Sequence, residues 1–150
     1  MIDRELYEET LLDHNRHPYH YLRVPQGTNH TAYGFNPTCG DEFTLHLRVE
    51  EGVIRESGFE GVGCALSVAS ASMMAKALEG LTLEEAEALF RRMTAFLHGG
   101  EPLPPEQPGL GSLALLGGVF DYPDRIKCAN LAWHILHAAL QQEQHTVCTE

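Results

Sequence analysis

Between Phe43 and Glu60 the chain carries the pattern of a β-hairpin, and that pattern limits what the rest can be. Phe43, Leu45, Leu47 and Val49 alternate with Thr44, His46 and Arg48, the period of a strand with one buried face. Glu51-Gly52 makes a tight turn, and Val53 to Glu60 returns as a second strand. The apolar face of such a pair needs cover, and helical segments supply it.

Cys64 to Glu79 reads as a helix of Ala, Ser, Leu, Val and Met, preceded by Gly61 and Gly63 and closed by Gly80 as a C-terminal cap. So many small residues point to close approach to a sheet or another helix. A second helix starts at Thr82, whose hydroxyl caps it while Glu85 reaches back. Leu83, Ala86, Leu89, Phe90, Met93 and Leu97 form its buried stripe. Residues 98–118, rich in Gly and Pro, read as an extended loop with one short apolar turn, Leu113 to Leu116. Pro123 suits the first turn of a last helix, which carries Cys128, Leu131, Ala132, Ile135, Ala138 and Ala139 on one face. Upstream, residues 3–15 form a short amphipathic helix ended by Pro18, and His17 to Asn36 reads as loop with at most a short strand. The expected class is α+β, with a small antiparallel sheet of about three strands packed against several helices. One domain spans residues 1–150, and its C-terminal tail, from about residue 143, is expected to be flexible.

A domain of 150 residues can bury roughly 70% of the surface its unfolded chain exposes, so it does not depend on disulfides. Its 21 acidic and 10 basic residues leave a net charge of −11, a poor start for gripping nucleic acid, where Lys and Arg neutralise phosphates. An acidic surface suits solubility, or a partner with a basic docking patch. The apolar stretches are broken well short of the roughly 20 residues of a membrane span. The opening Met1-Ile2-Asp3-Arg4-Glu5-Leu6 lacks a signal-peptide pattern. The expectation is a cytoplasmic protein that binds neither nucleic acid nor membrane.

Four cysteines in such a chain do not suggest a disulfide framework. Cys148 lies in the polar tail, but the other three lie inside patterned segments. Cys39 and Asp41 belong to Asn36-Pro37-Thr38-Cys39-Gly40-Asp41, a turn just before the first good strand. Cys64 opens a helix after a Gly-x-Gly turn, and Cys128 lies in the first turns of the last helix. Helix N-termini stabilise thiolate, and thiolates bind zinc or iron, with a carboxylate able to complete a tetrahedral set. Each piece has a plainer reading. Cys64 and Cys128 fit as small core residues, and Asp41 as a turn hydrogen-bonder. Cys39, in a polar turn, has no packing purpose. No Cys-x-x-Cys pair occurs, so spacing alone does not join these residues. Among the nine histidines, His14, His17, His20 and His30 cluster near the N-terminus in irregular spacing that favours surface or capping roles. His134 and His137 lie on the last helix, exposed or at an interface.

Three ordered segments carry a resemblance: Asn36-Pro37-Thr38-Cys39-Gly40-Asp41, Gly61-Val62-Gly63-Cys64-Ala65-Leu66-Ser67, and Arg125-Ile126-Lys127-Cys128-Ala129-Asn130-Leu131-Ala132-Trp133. Together with Leu12-Asp13-His14 in the opening helix, they resemble the U-type iron–sulfur cluster assembly proteins. That family holds the IscU-like and NifU N-terminal-like scaffolds, and the SufU branch is the nearest in pattern. The resemblance covers nearly the whole chain. It implies a compact α+β fold and a ligand set of Cys39, Asp41, Cys64 and Cys128. Two departures from the IscU pattern select the branch. Lys127 stands where IscU-like scaffolds carry a histidine, and their Leu-Pro-Pro chaperone motif is absent, Leu103-Pro104-Pro105 being a lookalike in the long loop. A histidine-dependent cluster role and chaperone binding are therefore not carried over.

The resemblance to the SufU branch implies Zn²⁺ on Cys39, Asp41, Cys64 and Cys128, with Cys39 accepting sulfur from a docked SufS-like cysteine desulfurase. A histidine of that partner would displace Cys39 from the metal, and Arg125 would anchor or polarise the site, unless it only forms a salt bridge. The alternative is a scaffold holding a transient [2Fe–2S] cluster on Cys39, Cys64 and Cys128 for delivery to apo iron–sulfur proteins. A closed zinc site that merely staples the fold is the weakest reading, since the core is large enough to stand alone.

Overall fold

The computed structural model describes residues 24–37, 40–99, 126–141 and 147–148, together with Glu5, Glu8, Glu9, Leu12, Asp13 and Arg16. Those six N-terminal residues are helical. The remainder of the expected first helix, the 100–118 stretch and Pro123 lie outside the described residues.

The hairpin forms where its pattern places it. Strand β2 (Asp41–Glu50) pairs antiparallel with β3 (Val53–Val62), and Glu50 faces Val53 across the two-residue turn. Glu51 and Gly52 both have positive φ, 52° and 76°, the hairpin geometry that matches strand twist. A register shift at Arg48/Val49 interrupts the ladder. Phe43, Leu45 and Leu47 point inward and are buried, joined by Ile54 and Phe59 from β3.

A third strand, β1 (His30–Asn36), pairs antiparallel with β2. It is longer than the short strand expected there, and its inward face explains why. Ala32, Gly34 and Asn36 point to the core, while Tyr33 and Phe35 stack on the outer face with ring centroids 6.4 Å apart. Small inward residues leave no apolar alternation to read. Beyond β1, Val147–Cys148 (β4) adds a two-residue parallel pairing, so the sheet order is β3-β2-β1-β4.

Three helices cover one face: α1 (Ala65–Leu78), α2 (Leu83–Gly99) and α3 (Ile126–Gln141). α2 runs through His98 and Gly99, so the expected loop starts no earlier than residue 100. Its capping box is present, with Glu85 N–H donating to Thr82 Oγ1 at 3.1 Å and Thr82 N–H to Glu85 Oε1 at 3.0 Å. α3 is the hub, packing against β1, β2, α1 and α2. The apolar stripe expected on it is buried, and so are Ala129, Asn130, Trp133 and Leu136 outside that stripe. The small inward residues of β1 make room for it.

The serines of α1 join these layers. Ser70 Oγ donates to Ala129 C=O at 2.7 Å and accepts from the fully buried Trp133 Nε1–H at 3.1 Å. Ser57 Oγ of β3 donates to Ala75 C=O at 2.8 Å. Among the described residues, no helix is long and apolar enough to cross a membrane.

The capping box gives the first expected outcome. Thr82→Ala lowers unfolding stability by about 1 kcal/mol, measured as a shift in urea midpoint with unchanged slope.

Candidate metal centre

Asp41 opens β2 opposite Asn36 at the end of β1. Between them the chain turns, with Gly40 at φ 73° donating its N–H to Asn36 C=O at 2.9 Å. The Asp41 side chain points inward and is only 1% exposed. An isolated carboxylate at that depth is costly unless hydrogen-bonded, and Asp41 accepts two short bonds. Cys64 N–H reaches Oδ1 at 2.8 Å and Ser67 Oγ–H reaches Oδ2 at 2.6 Å.

Cys64 is the N-cap of α1, with extended backbone (φ −69°, ψ 166°) and no side-chain cap bond. This position favours Ser, Thr, Asp or Asn, so a cysteine here leaves the thiol available for another purpose. Its Sγ is half-buried and lies 3.9 Å from Asp41 Oδ2.

The glycines of Gly61-Val62-Gly63 make the approach possible. Gly61 has φ 138°, and a Cβ there would sit 2.1 Å from Glu42 C=O. A Cβ on Gly63 would meet Phe43 Cζ at 2.8 Å and Asp41 Oδ1 at 3.0 Å. The space a side chain would fill is the space the carboxylate occupies.

Cys128, in the first turn of α3, is fully buried, and neither it nor Cys64 is held in a disulfide. Asn36 Nδ2 lies 3.9 Å from its Sγ, and Ser67 Oγ lies 3.2 Å from its carbonyl oxygen. Two strands and two helices therefore meet at one point. One ligand atom each from Asp41, Cys64 and Cys128 lies within 4.8 Å of the others. Donors on a tetrahedral zinc stand roughly 3.3–3.8 Å apart, given bonds of about 2.0–2.3 Å. The three need only a small contraction, and two thiols with one carboxylate are a donor set that zinc or iron accepts.

Cys39 and Arg125 lie outside the described residues. Of the histidines, His14, His17 and His20 are also outside. His30 is half-buried, and burial lowers its pKa below the ordinary 6.5. His137 Nδ1 donates a 2.7 Å bond to Glu87 Oε1 and its ring stacks on Phe90, whose ring also meets His134 edge-on. Among the described residues, Asp41, Cys64 and Cys128 are the one group of His, Cys, Asp or Glu close enough to hold a metal. Ser67 and the amide of Asn36 were not singled out from sequence. The one available signal for Ser67 is its place three residues after the cysteine that opens the helix.

Residues 6–129 match the family model described as the NifU-like N terminal domain. The chain is 39% identical to the iron–sulfur cluster assembly scaffold protein IscU of Streptococcus pyogenes serotype M1, over 91% of this chain and 84% of that one. It is 32% identical to the zinc-dependent sulfurtransferase SufU of Bacillus subtilis (strain 168), over 93% and 92% of the two chains. The solved structure of FiSufU from Fervidobacterium islandicum AW-1 superposes with a TM-score of 0.78 at 28% identity, covering 92% of this chain and 99% of that one.

The tight packing around Asp41 has a measurable consequence. Gly63→Ala forces the Phe43 ring or the carboxylate to move, at a cost of about 1–3 kcal/mol. Denaturant titration reads that loss, and faster reaction of Cys64 with a thiol reagent reads the opened site.

Proposed function

The chain belongs to the NifU-like N-terminal domain family of iron–sulfur cluster assembly proteins, and from that premise we propose that it acts as a zinc-holding sulfur acceptor for a cysteine desulfurase. The observation that carries this reading is the convergence of Asp41, Cys64 and Cys128 within 4.8 Å, on a chain whose Cys39 is two residues from Asp41. Asp41, Cys64 and Cys128 would hold the ion, with Cys39 as the fourth ligand. Zinc, when bound, keeps thiols deprotonated while masking them as nucleophiles.

The remaining chemistry belongs to the chain. The buried hydrogen bonds on Asp41 hold one corner rigid, and a histidine of the docked desulfurase would take the place of Cys39 on the metal, so that Cys39 is the ligand released to react. The Cys39 thiolate attacks the terminal sulfur of the desulfurase persulfide, R–S–SH. The persulfide S–S bond breaks, a new one forms to Cys39, and the desulfurase cysteine leaves as thiolate. The proton stays on the transferred sulfur. Arg125, three residues before Cys128, is assigned to anchoring this end of the site. The net charge of −11 suits a desulfurase with a basic docking patch, and the setting for this exchange is the cytoplasm.

A second reading treats a [2Fe–2S] cluster as cargo on Cys39, Cys64 and Cys128, passed on to apo iron–sulfur proteins. The amide of Asn36 near Cys128 Sγ favours it, because N–H groups that bond to cluster sulfurs tune the cluster.

Metal analysis and a desulfurase assay decide between them. On the acceptor reading the purified protein holds about one zinc per chain and speeds cysteine turnover by the desulfurase. Cys39→Ala abolishes that stimulation, and retained stimulation would overturn the assignment of Cys39. An oxygen-sensitive visible chromophore after reconstitution, transferred to an apo-ferredoxin, would support the scaffold reading instead.

A further inference from the structure

We propose that Ser67 is the positioning residue of this centre, its hydroxyl setting the angle at which Asp41 presents its carboxylate to the metal. The inference rests on the reading of Asp41 as a metal ligand and adds a residue to it.

The argument starts from how a carboxylate is held. One hydrogen bond leaves it free to turn about its Cβ–Cγ bond, and two bonds on different oxygens fix its plane. In Asp41 the first comes from Cys64 N–H on Oδ1 and the second from Ser67 Oγ–H on Oδ2. Each oxygen keeps a further lone pair for a metal. The Cys64 N–H bond comes from backbone and the Cys64 Sγ contact is long, at 3.9 Å, so the Ser67 bond is the short one that side-chain identity controls.

Ser67 also has an unusual set of neighbours. It lies on α1, three residues after Cys64, and touches Asp41 of β2. The same oxygen lies 3.2 Å from the carbonyl of Cys128 in α3. One hydroxyl thus meets the elements carrying all three converging donors. Ser70 and Ser72 of the same helix are equally buried, so burial does not set Ser67 apart; its bond to the carboxylate does. Its shorter bond, at 2.6 Å, goes to the carboxylate.

The test uses the full-length protein with Zn²⁺ or Co²⁺ as the probe. Ser67→Thr and Ser67→Val add the same bulk and differ only in the hydroxyl. Ser67→Val and Ser67→Ala are expected to bind zinc about 10–100-fold more weakly in chelator competition, the usual range for loss of a group that orients a ligand. Their cobalt forms should lose the intense visible bands of a fixed tetrahedral site. Ser67→Thr should keep the wild-type spectrum and affinity. Ser70→Ala breaks the neighbouring α1–α3 bonds without touching Asp41, so it should lower stability and leave the cobalt spectrum unchanged. Equal zinc affinity and spectra for the Thr and Val variants would overturn the proposal, as would a Ser70→Ala spectrum altered like that of Ser67→Ala. Asp41→Ala separates the two levels. If it leaves zinc affinity unchanged, the ligand reading falls; if it weakens binding while Ser67→Val does not, only the role of Ser67 falls.

Discussion

Burying a carboxylate is costly unless its oxygens are hydrogen-bonded, and most of the local architecture follows from how Asp41 is accommodated. Its two oxygens are met by a backbone N–H and a serine hydroxyl, which replace the lost water. For the N–H to arrive, the end of β3 must pass close over β2. That passage requires glycine at 61 and 63, where any Cβ would collide with Glu42, Phe43 or Asp41 itself. For the hydroxyl to arrive, α1 must begin at Cys64 and present its small face inward. The Gly-x-Gly-Cys segment is therefore one answer to a single electrostatic problem.

The placement of α3 is the second constraint, and it explains the composition of its neighbours. A helix buried on nearly all sides needs partners that yield space. β1 yields it with Ala32, Gly34 and Asn36, and α1 yields it with serine and alanine. The hydroxyls of Ser67 and Ser70 then engage carbonyls at the start of α3, which fixes the depth of Cys128. Bulk is carried by α3 itself, above all by Trp133.

Sequence patterns revealed those elements whose burial is periodic. The β2–β3 hairpin was legible because large apolar residues alternate and Glu51-Gly52 fits the turn. The α2 start was legible because Thr82 and Glu85 form a reciprocal cap. β1 was obscured because its inward residues are small and its aromatics face outward. The extra burial of α3 was hidden because periodicity shows one stripe and cannot count neighbours. Cys39, Asp41, Cys64 and Cys128 could be joined only through the family resemblance, since sequence spacing does not report distance in space. Ser67 was silent for another reason: in a helix rich in Ala and Ser, its hydroxyl looks like one more small side chain.

The converging donors also have an order of appearance along the chain. Asp41 and Cys64 are 23 residues apart, whereas the contact from Ser67 to Cys128 spans 61. Long-range contacts of this kind are made late, after shorter loops have closed. During synthesis the first two donors leave the ribosome well before α3 exists to complete the group. Until α3 is made, the chain carries only two of the three donors, a thiol and a carboxylate. The finished centre can form only when nearly the whole domain is present.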